Sequence, residues 1–317
     1  SRGEGIHSGV AEAIAKKKAE AEAIAKKKAE AGDDFEVSGD GNKSPYQLHS
    51  GVAVIELEGV LAKRMNLFME FSGGTSTQMF HSALAQAAND DRVKSIVVYV
   101  DSPGGTVDGT QAAGNAIKEA RKHKPVYAVA DGQMCSAAYW IACAAEKVFV
   151  VDETTEVGSI GVVTSHADRS KQQEMAGVKM TDITAGKYKR IASQNEPLST
   201  EGRSYIQDQL DTVYTVFVDH VAKNRGVSSD VVHKRMADGR IFIGKQAVEV
   251  GLVDGIATLE DVVSMLAGED SSIAGAGSGA PLSDDDIKDP QADPASEALA
   301  TGTGSESEGA SVPDGGA

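Results

Sequence analysis

Residues 125–151 read PVYAVADGQMCSAAYWIACAAEKVFVV. Two short runs rich in β-branched and aromatic side chains, PVYAVA at 125–130 and KVFVV at 147–151, enclose a stretch of small and apolar residues from Ser136 to Glu146. Short runs of that kind bounded by turn residues predict strands, and the longer apolar stretch between them predicts a buried helix. The same alternation lies upstream, where VAVIELEG (52–59) and SIVVYVD (95–101) are separated by helical patterns at about 77–89 and 107–122. Strands alternating with helices give an α/β class with a largely parallel sheet. Downstream, Ile206, Leu210, Val213, Phe217 and Val221 recur at helical spacing, which predicts a long helix that Ser199 caps and that ends near Gly226. Two shorter helices at about 228–236 and 244–250 precede a last one ending near Leu266, so the predicted domain covers 45–267.

The flanks have a different composition. Residues 11–20 and 21–30 are the same decapeptide, AEAIAKKKAE, whose Ala, Glu and Lys content favours a solvated helix. Residues 1–44 therefore read as a helical arm and linker. Residues 268–317 hold eleven Asp or Glu against one lysine, amid Gly, Ser, Ala and Pro, so most of the formal charge of −16 belongs to an acidic tail expected to be disordered. No basic patch interleaved with aromatics is present to neutralise phosphates, which argues against nucleic acid as a ligand. No apolar run reaches the length of a spanning helix, so no membrane anchor is expected in this sequence. The two cysteines, Cys135 and Cys143, fall within the predicted buried helix, and no Cys/His cluster suggests a metal or other cofactor.

Two places invite chemistry. DSPGG (101–105) follows a buried strand, where open α/β sheets carry their sites, and its glycines let backbone amides approach a ligand. The plain alternative is an ordinary strand-to-helix turn. Ser136 stands at the front of the predicted 136–146 helix, a position that suits an N-cap and a nucleophile equally. A nucleophilic serine needs a base. His81, His123, His166, His220 and His233 all sit in polar helical or loop settings, and no GxSxG elbow is present. The other option is a lysine made neutral by burial, and TAGKYKR (184–190) supplies Lys187 and Lys189, which composition alone reads as solvated.

DSPGG (101–105), CSAAYWIACAAEKVFV (135–150), VGSIGV (157–162), the GKYK segment and DGRIFIGKQAVEVGLVDGI (238–256) occur in one order and together resemble the signal peptide peptidase A family of serine proteases. The resemblance implies a Clp-protease or crotonase-like fold of repeated ββα units and a Ser/Lys dyad. Carried over by position, Ser136 is the nucleophile, Lys189 the base and Ser159 a hydroxyl that orients the amine. Lys187 lies two residues away and shares a face with Lys189 if the segment is a strand. The resemblance makes the amides of Gly104 and Ala137 the oxyanion hole, with Gly105 a substitute for the first. It also implies a protein or peptide substrate and a homo-oligomer. The soluble bacteriophage head maturation or capsid assembly proteases of this family match the layout best, which points to the host cytoplasm or the inside of a procapsid. A cytoplasmic peptidase for signal-peptide remnants and a catalytically quiet assembly protein are the alternatives.

Overall fold

Alternation along the strands divides the core into two layers. In a computed structural model, which describes residues 44–64 and 73–268, Ala53, Ile55 and Leu57 of strand β2 (Val52–Ala62) enter the larger cluster while Val52 and Val54 enter a smaller one on the opposite face. The helical arm with its duplicated decapeptide and the acidic tail lie outside the described residues.

The chain enters through β1 (Gln47–His49), antiparallel to β2, and β3 (Gly74–Ser76) pairs with the far end of β2. Helix α1 (Thr77–Asn89) leads to β4 (Ser95–Gly105), α2 (Thr110–Ala120) to β5 (Val126–Cys135), and α3 (Ala137–Ala142) to β6 (Lys147–Val150). These strands lie side by side in the order β1-β2-β4-β5-β6-β9, with β9 at Gly255–Ile256, and every pair from β2 onward is parallel. Only the first unit carries an extra strand before its helix; β4 runs to α2 and β5 to α3 directly.

The helices that cross from strand to strand pack their apolar residues into the larger cluster. Phe80 and Leu84 of α1, Ile117 of α2 and Tyr139 and Ile141 of α3 are all buried there, each side chain stabilising the fold by about 1.5–3 kcal/mol. The smaller cluster sits under α8 (Leu259–Ala267), where Val262 meets Val97, Val129 and Phe149. A Thr258 capping box starts that helix.

After β6 come β7 (Glu156–Gly158), α4 (Ser170–Met175) and the long α5 (Thr200–Arg225), which Ser199 caps and Gly226 ends in a left-handed conformation, as its sequence predicts. The predicted stripe on α5 is buried only at its C-terminal end. Phe217 and Val221 are in the core, whereas Ile206, Leu210 and Val213 are half-buried. A short α6 (Ser229–Val231), a π turn at Val232–Met236, β8 (Ile241–Ile243), which pairs with β7, and α7 (Lys245–Glu249) lead on to β9 and α8.

Two contacts fix α5 behind the sheet. Trp140 of α3 stacks on Phe217 with ring centroids 4.4 Å apart. Arg225 donates to Asp254 Oδ2 at 2.9 Å and to the carbonyl of Gly251, while Asp254 also accepts from the Val148 amide at 2.8 Å.

Candidate active site

Strand β5 changes partner halfway. On one side it pairs with β4 to Ala130 and again at Met134, opposite Ser102; on the other it pairs with β6 as far as Ala130, and beyond Gly132 its residues Gln133–Cys135 pair with β7. The strand therefore extends five residues past the predicted 130 and delivers Ser136 at its very end. Cys135 belongs to this strand rather than to the predicted helix, which is shorter than expected and begins at Ala137.

Ser136 adopts φ 51° and ψ −122°, a region that side-chain-bearing residues rarely enter and that costs about 1–3 kcal/mol. Its amide donates to the Gly158 carbonyl at 2.8 Å, and its carbonyl accepts from Trp140 at 2.9 Å. The backbone is thus clamped on both sides, and the side chain makes no capping bond. The amides of Ala137, Ala138 and Tyr139 belong to the first turn, where the helix itself supplies no acceptor.

The DSPGG segment is a continuation of β4, not a turn. Val60 pairs with Gly104 and Leu61 with Gly105 after a register shift that follows Glu58 and Asp101. Gly104 has φ 103°, and a Cβ there would stand 2.8 Å from both the Cys135 carbonyl oxygen and Ser136 Cβ, and 2.9 Å from the Ala137 nitrogen. Only a glycine lets this strand press against the serine turn. The Gly104 amide donates to Ser102 Oγ at 3.1 Å, and that hydroxyl donates to the Gly59 carbonyl at 2.6 Å. Thr106 donates to Leu61 at 2.8 Å, so by strand alternation the Gly105 amide points away from β2. Of the two glycines, Gly105 is the one whose amide is directed toward the serine side of the strand.

Ser159 is the next residue after the Cys135 and Gly158 pair, which sets it beside Ser136. It too has φ 51°, and its amide donates to the Arg240 carbonyl at 2.6 Å. No feature of VGSIGV taken alone marks that strain.

Both candidate lysines are exposed, as are all residues from 181 to 190. The segment is a series of turns in which the Lys189 amide donates to Gly186, so the shared strand face does not form. Lys187 Nζ lies 2.6 Å from Glu201 Oε1 and 5.0 Å from the Tyr188 ring centroid. The Glu201 carboxylate raises the Lys187 pKa and keeps it an ammonium.

Among the histidines, His81, His123 and His233 are exposed as expected, but His220 is buried, at 7% exposure, against Trp140. It faces the core because it falls on the same helical side as Phe217 and Val221. The cysteines are no rival nucleophiles. Burial pushes the Cys135 thiol up to about 11 and the Cys143 thiol up to about 12, far from the thiolate form.

The chain is similar to known proteins along these elements. Residues 118–272 match the model of peptidase family S49, and residues 55–157 match Clp protease. The chain is 32% identical over 235 residues to the head-tail preconnector protein GP5 of Enterobacteria phage P21, covering 74% of this chain and 46% of that protein. It is 29% identical over 259 residues to the capsid assembly protease C of Escherichia phage lambda, covering 82% and 58%. It is 26% identical over 215 residues to the chloroplastic serine protease SPPA of Arabidopsis thaliana, covering 68% and 32%. The chain spans about half the length of the two phage relatives. Among the described residues no helix is long and apolar enough to cross a membrane. The parallel sheet and the strained serine at its end thus lie within the stretches that match peptidase family S49 and Clp protease, and these matches support a serine protease.

Proposed function

We propose that the domain is an endopeptidase in which Ser136 Oγ attacks the scissile carbonyl and Lys189 accepts its proton, later returning it to the leaving amine. The Ser159 hydroxyl orients the lysine amine. The amides of Gly105 and Ala137 hold the oxyanion, while Gly104 keeps their two segments in contact and its own amide stays with Ser102. The observation that carries this reading is the conformation of Ser136, a strained residue whose hydroxyl caps nothing at the end of the central strand.

A lysine base works only when desolvation holds it neutral. Residues 181–190 are exposed in the single chain, and Val163, Met175 and Ile183 nearby are 89%, 84% and 95% exposed. We therefore assign the cover over Lys189 to a neighbouring copy in a homo-oligomer together with bound substrate. Relatives named for capsid assembly and head-tail connection support capsid or scaffold proteins as substrates, cut during phage head assembly.

The test compares Ser136→Ala, Lys189→Ala, Lys189→Arg and Lys187→Ala on one fluorogenic peptide, with a serine-directed phosphonate as label. Ser136→Ala should be inactive and unlabelled. Both Lys189 variants should be equally dead, because guanidinium does not give up its proton. Lys187→Ala should keep most activity. Hydrolysis retained by purified Ser136→Ala, or by both lysine positions, would sink the dyad.

A further inference from the structure

The Ser102 hydroxyl has no part in the proposed dyad, yet it is fully buried on β4 between the exposed Asp101 and Pro103. A buried hydroxyl is costly unless it is hydrogen-bonded, and here both of its bonds go to backbone. It donates to the Gly59 carbonyl at 2.6 Å and accepts from the Gly104 amide at 3.1 Å.

At this point β4 is irregular against both of its neighbours. On the β2 side Glu58 pairs with Asp101 and Val60 with Gly104, so Gly59 alone stands opposite Ser102 and Pro103. On the β5 side Val100 pairs with Ala130 and Ser102 with Met134, so Asp101 alone stands opposite Asp131, Gly132 and Gln133. Pro103 has no amide to give to either ladder. Regular pairing therefore does not set the direction of the next peptide groups, and Gly104, at φ 103° and without a side chain, does not set it either. The Ser102 hydroxyl supplies the missing fastening, a bond to the amide two residues ahead with its own proton tied to β2. On the far side the Thr106 amide donates to the Leu61 carbonyl at 2.8 Å, and a Cβ on Gly105 would overlap that same carbonyl. The Gly105 amide is thus held between two fixed points.

We propose that Ser102 is a positioning residue for the hydrolysis: by holding the Gly104 amide it keeps that donor out of the oxyanion hole and aims the Gly105 amide into it. The inference rests on the reading of Ser136 as nucleophile and of the Gly105 and Ala137 amides as the hole. Such donors stabilise developing charge because they are aimed before the reaction begins. A loosened Gly104–Gly105 peptide therefore slows attack more than it weakens substrate binding.

The test uses the full chain and one fluorogenic peptide. Ser102→Ala removes both bonds, and Ser102→Cys keeps a side chain of similar size whose thiol bonds only weakly. Both should fold by circular dichroism, and both should lose kcat by about a hundredfold while KM stays within about twofold. A peptide aldehyde should lose affinity by the same factor. In its adduct Ser136 Oγ is bonded to the former carbonyl carbon, the hydroxyl proton has passed to the base, and the oxygen carries the charge that the hole holds. The matching peptide alcohol, which forms no adduct, should bind wild type and both variants alike. A merely structural serine would instead move KM and alcohol binding together with kcat, and that outcome overturns the proposal. Full activity in either variant does the same, and so does failure of both to fold; if only Ser102→Ala fails to fold, Ser102→Cys decides. A wild type that neither hydrolyses peptides nor takes a serine-directed phosphonate at Ser136 sinks the protease reading together with this role. An active, labelled wild type with unchanged Ser102 variants sinks the role alone.

Discussion

Acid should loosen the helix that follows Ser136, by way of one histidine. His220 of α5 is 7% exposed, its ring centroid lies 6.3 Å from that of Trp140, and a Cβ at Gly114 of α2 would stand 3.0 Å from its Nε2. That nitrogen has no hydrogen-bond partner among the described residues. Burial pushes the His220 pKa down to about 4, helped by the cations of Lys118 on α2 and Lys223 on α5. The folded chain thus keeps the ring neutral, while the unfolded chain protonates it near its ordinary value of about 6.5. Stability is complete above that value and falls as the pH drops from there toward 4. Between pH of about 7.5 and about 4.5 the linkage amounts to a loss of about 2.5 kcal/mol. Urea unfolding of the wild type and of His220→Leu at the two pH values, at one protein concentration, isolates it. The cavity left by the leucine acts alike at both pH values, and the carboxylates, Asp254 among them, titrate in both proteins. The wild type should lose about 2.5 kcal/mol more than the variant on acidification. Acid losses that agree within about 0.5 kcal/mol would refute the reasoning.

Gly104→Ala places a Cβ 2.8 Å from the Cys135 carbonyl oxygen, a backbone atom that cannot turn aside, so peptide hydrolysis should fall by about a hundredfold or more in a chain whose circular dichroism still shows a folded sheet. Arg225→Ala leaves Asp254 with its charge inside the fold; burial would raise that carboxyl, and Arg225 is the main group that instead holds it below its ordinary value. Lys147 Nζ, 3.6 Å from Asp254 Oδ1, remains as a partial partner, so the expected cost is about 1–3 kcal/mol by thermal or urea denaturation, part of it recovered when Asp254→Asn is added.

The strands of this domain begin where their β-branched runs begin, at Val52, Ser95, Val126 and Lys147. Their far ends were not legible, for a physical reason. β4 runs on to Gly105 because Leu61 is there to pair with it, and β5 runs on to Cys135 because Glu156–Gly158 takes over from β6. Strand formation is decided by partners distant in sequence, and those two extensions are the ones that bear the site. The candidate residues could therefore be picked out by the company they keep, while their geometry could not. Nothing in MCSAAY distinguishes a serine at φ 51° from one in an ordinary cap, and nothing in DSPGG tells which glycine turns its amide to β2. His220 is a different case. Asp219 and Lys223 suggest a solvated helix face, yet 217, 220, 221 and 224 form a helical stripe with two apolar members, and that stripe is the buried one. Lys189 lies in a segment that is polar in sequence and exposed in the structure, so the proposed dyad requires groups outside the described residues to remove water from that amine, and it is to be tested on the full chain with substrate bound.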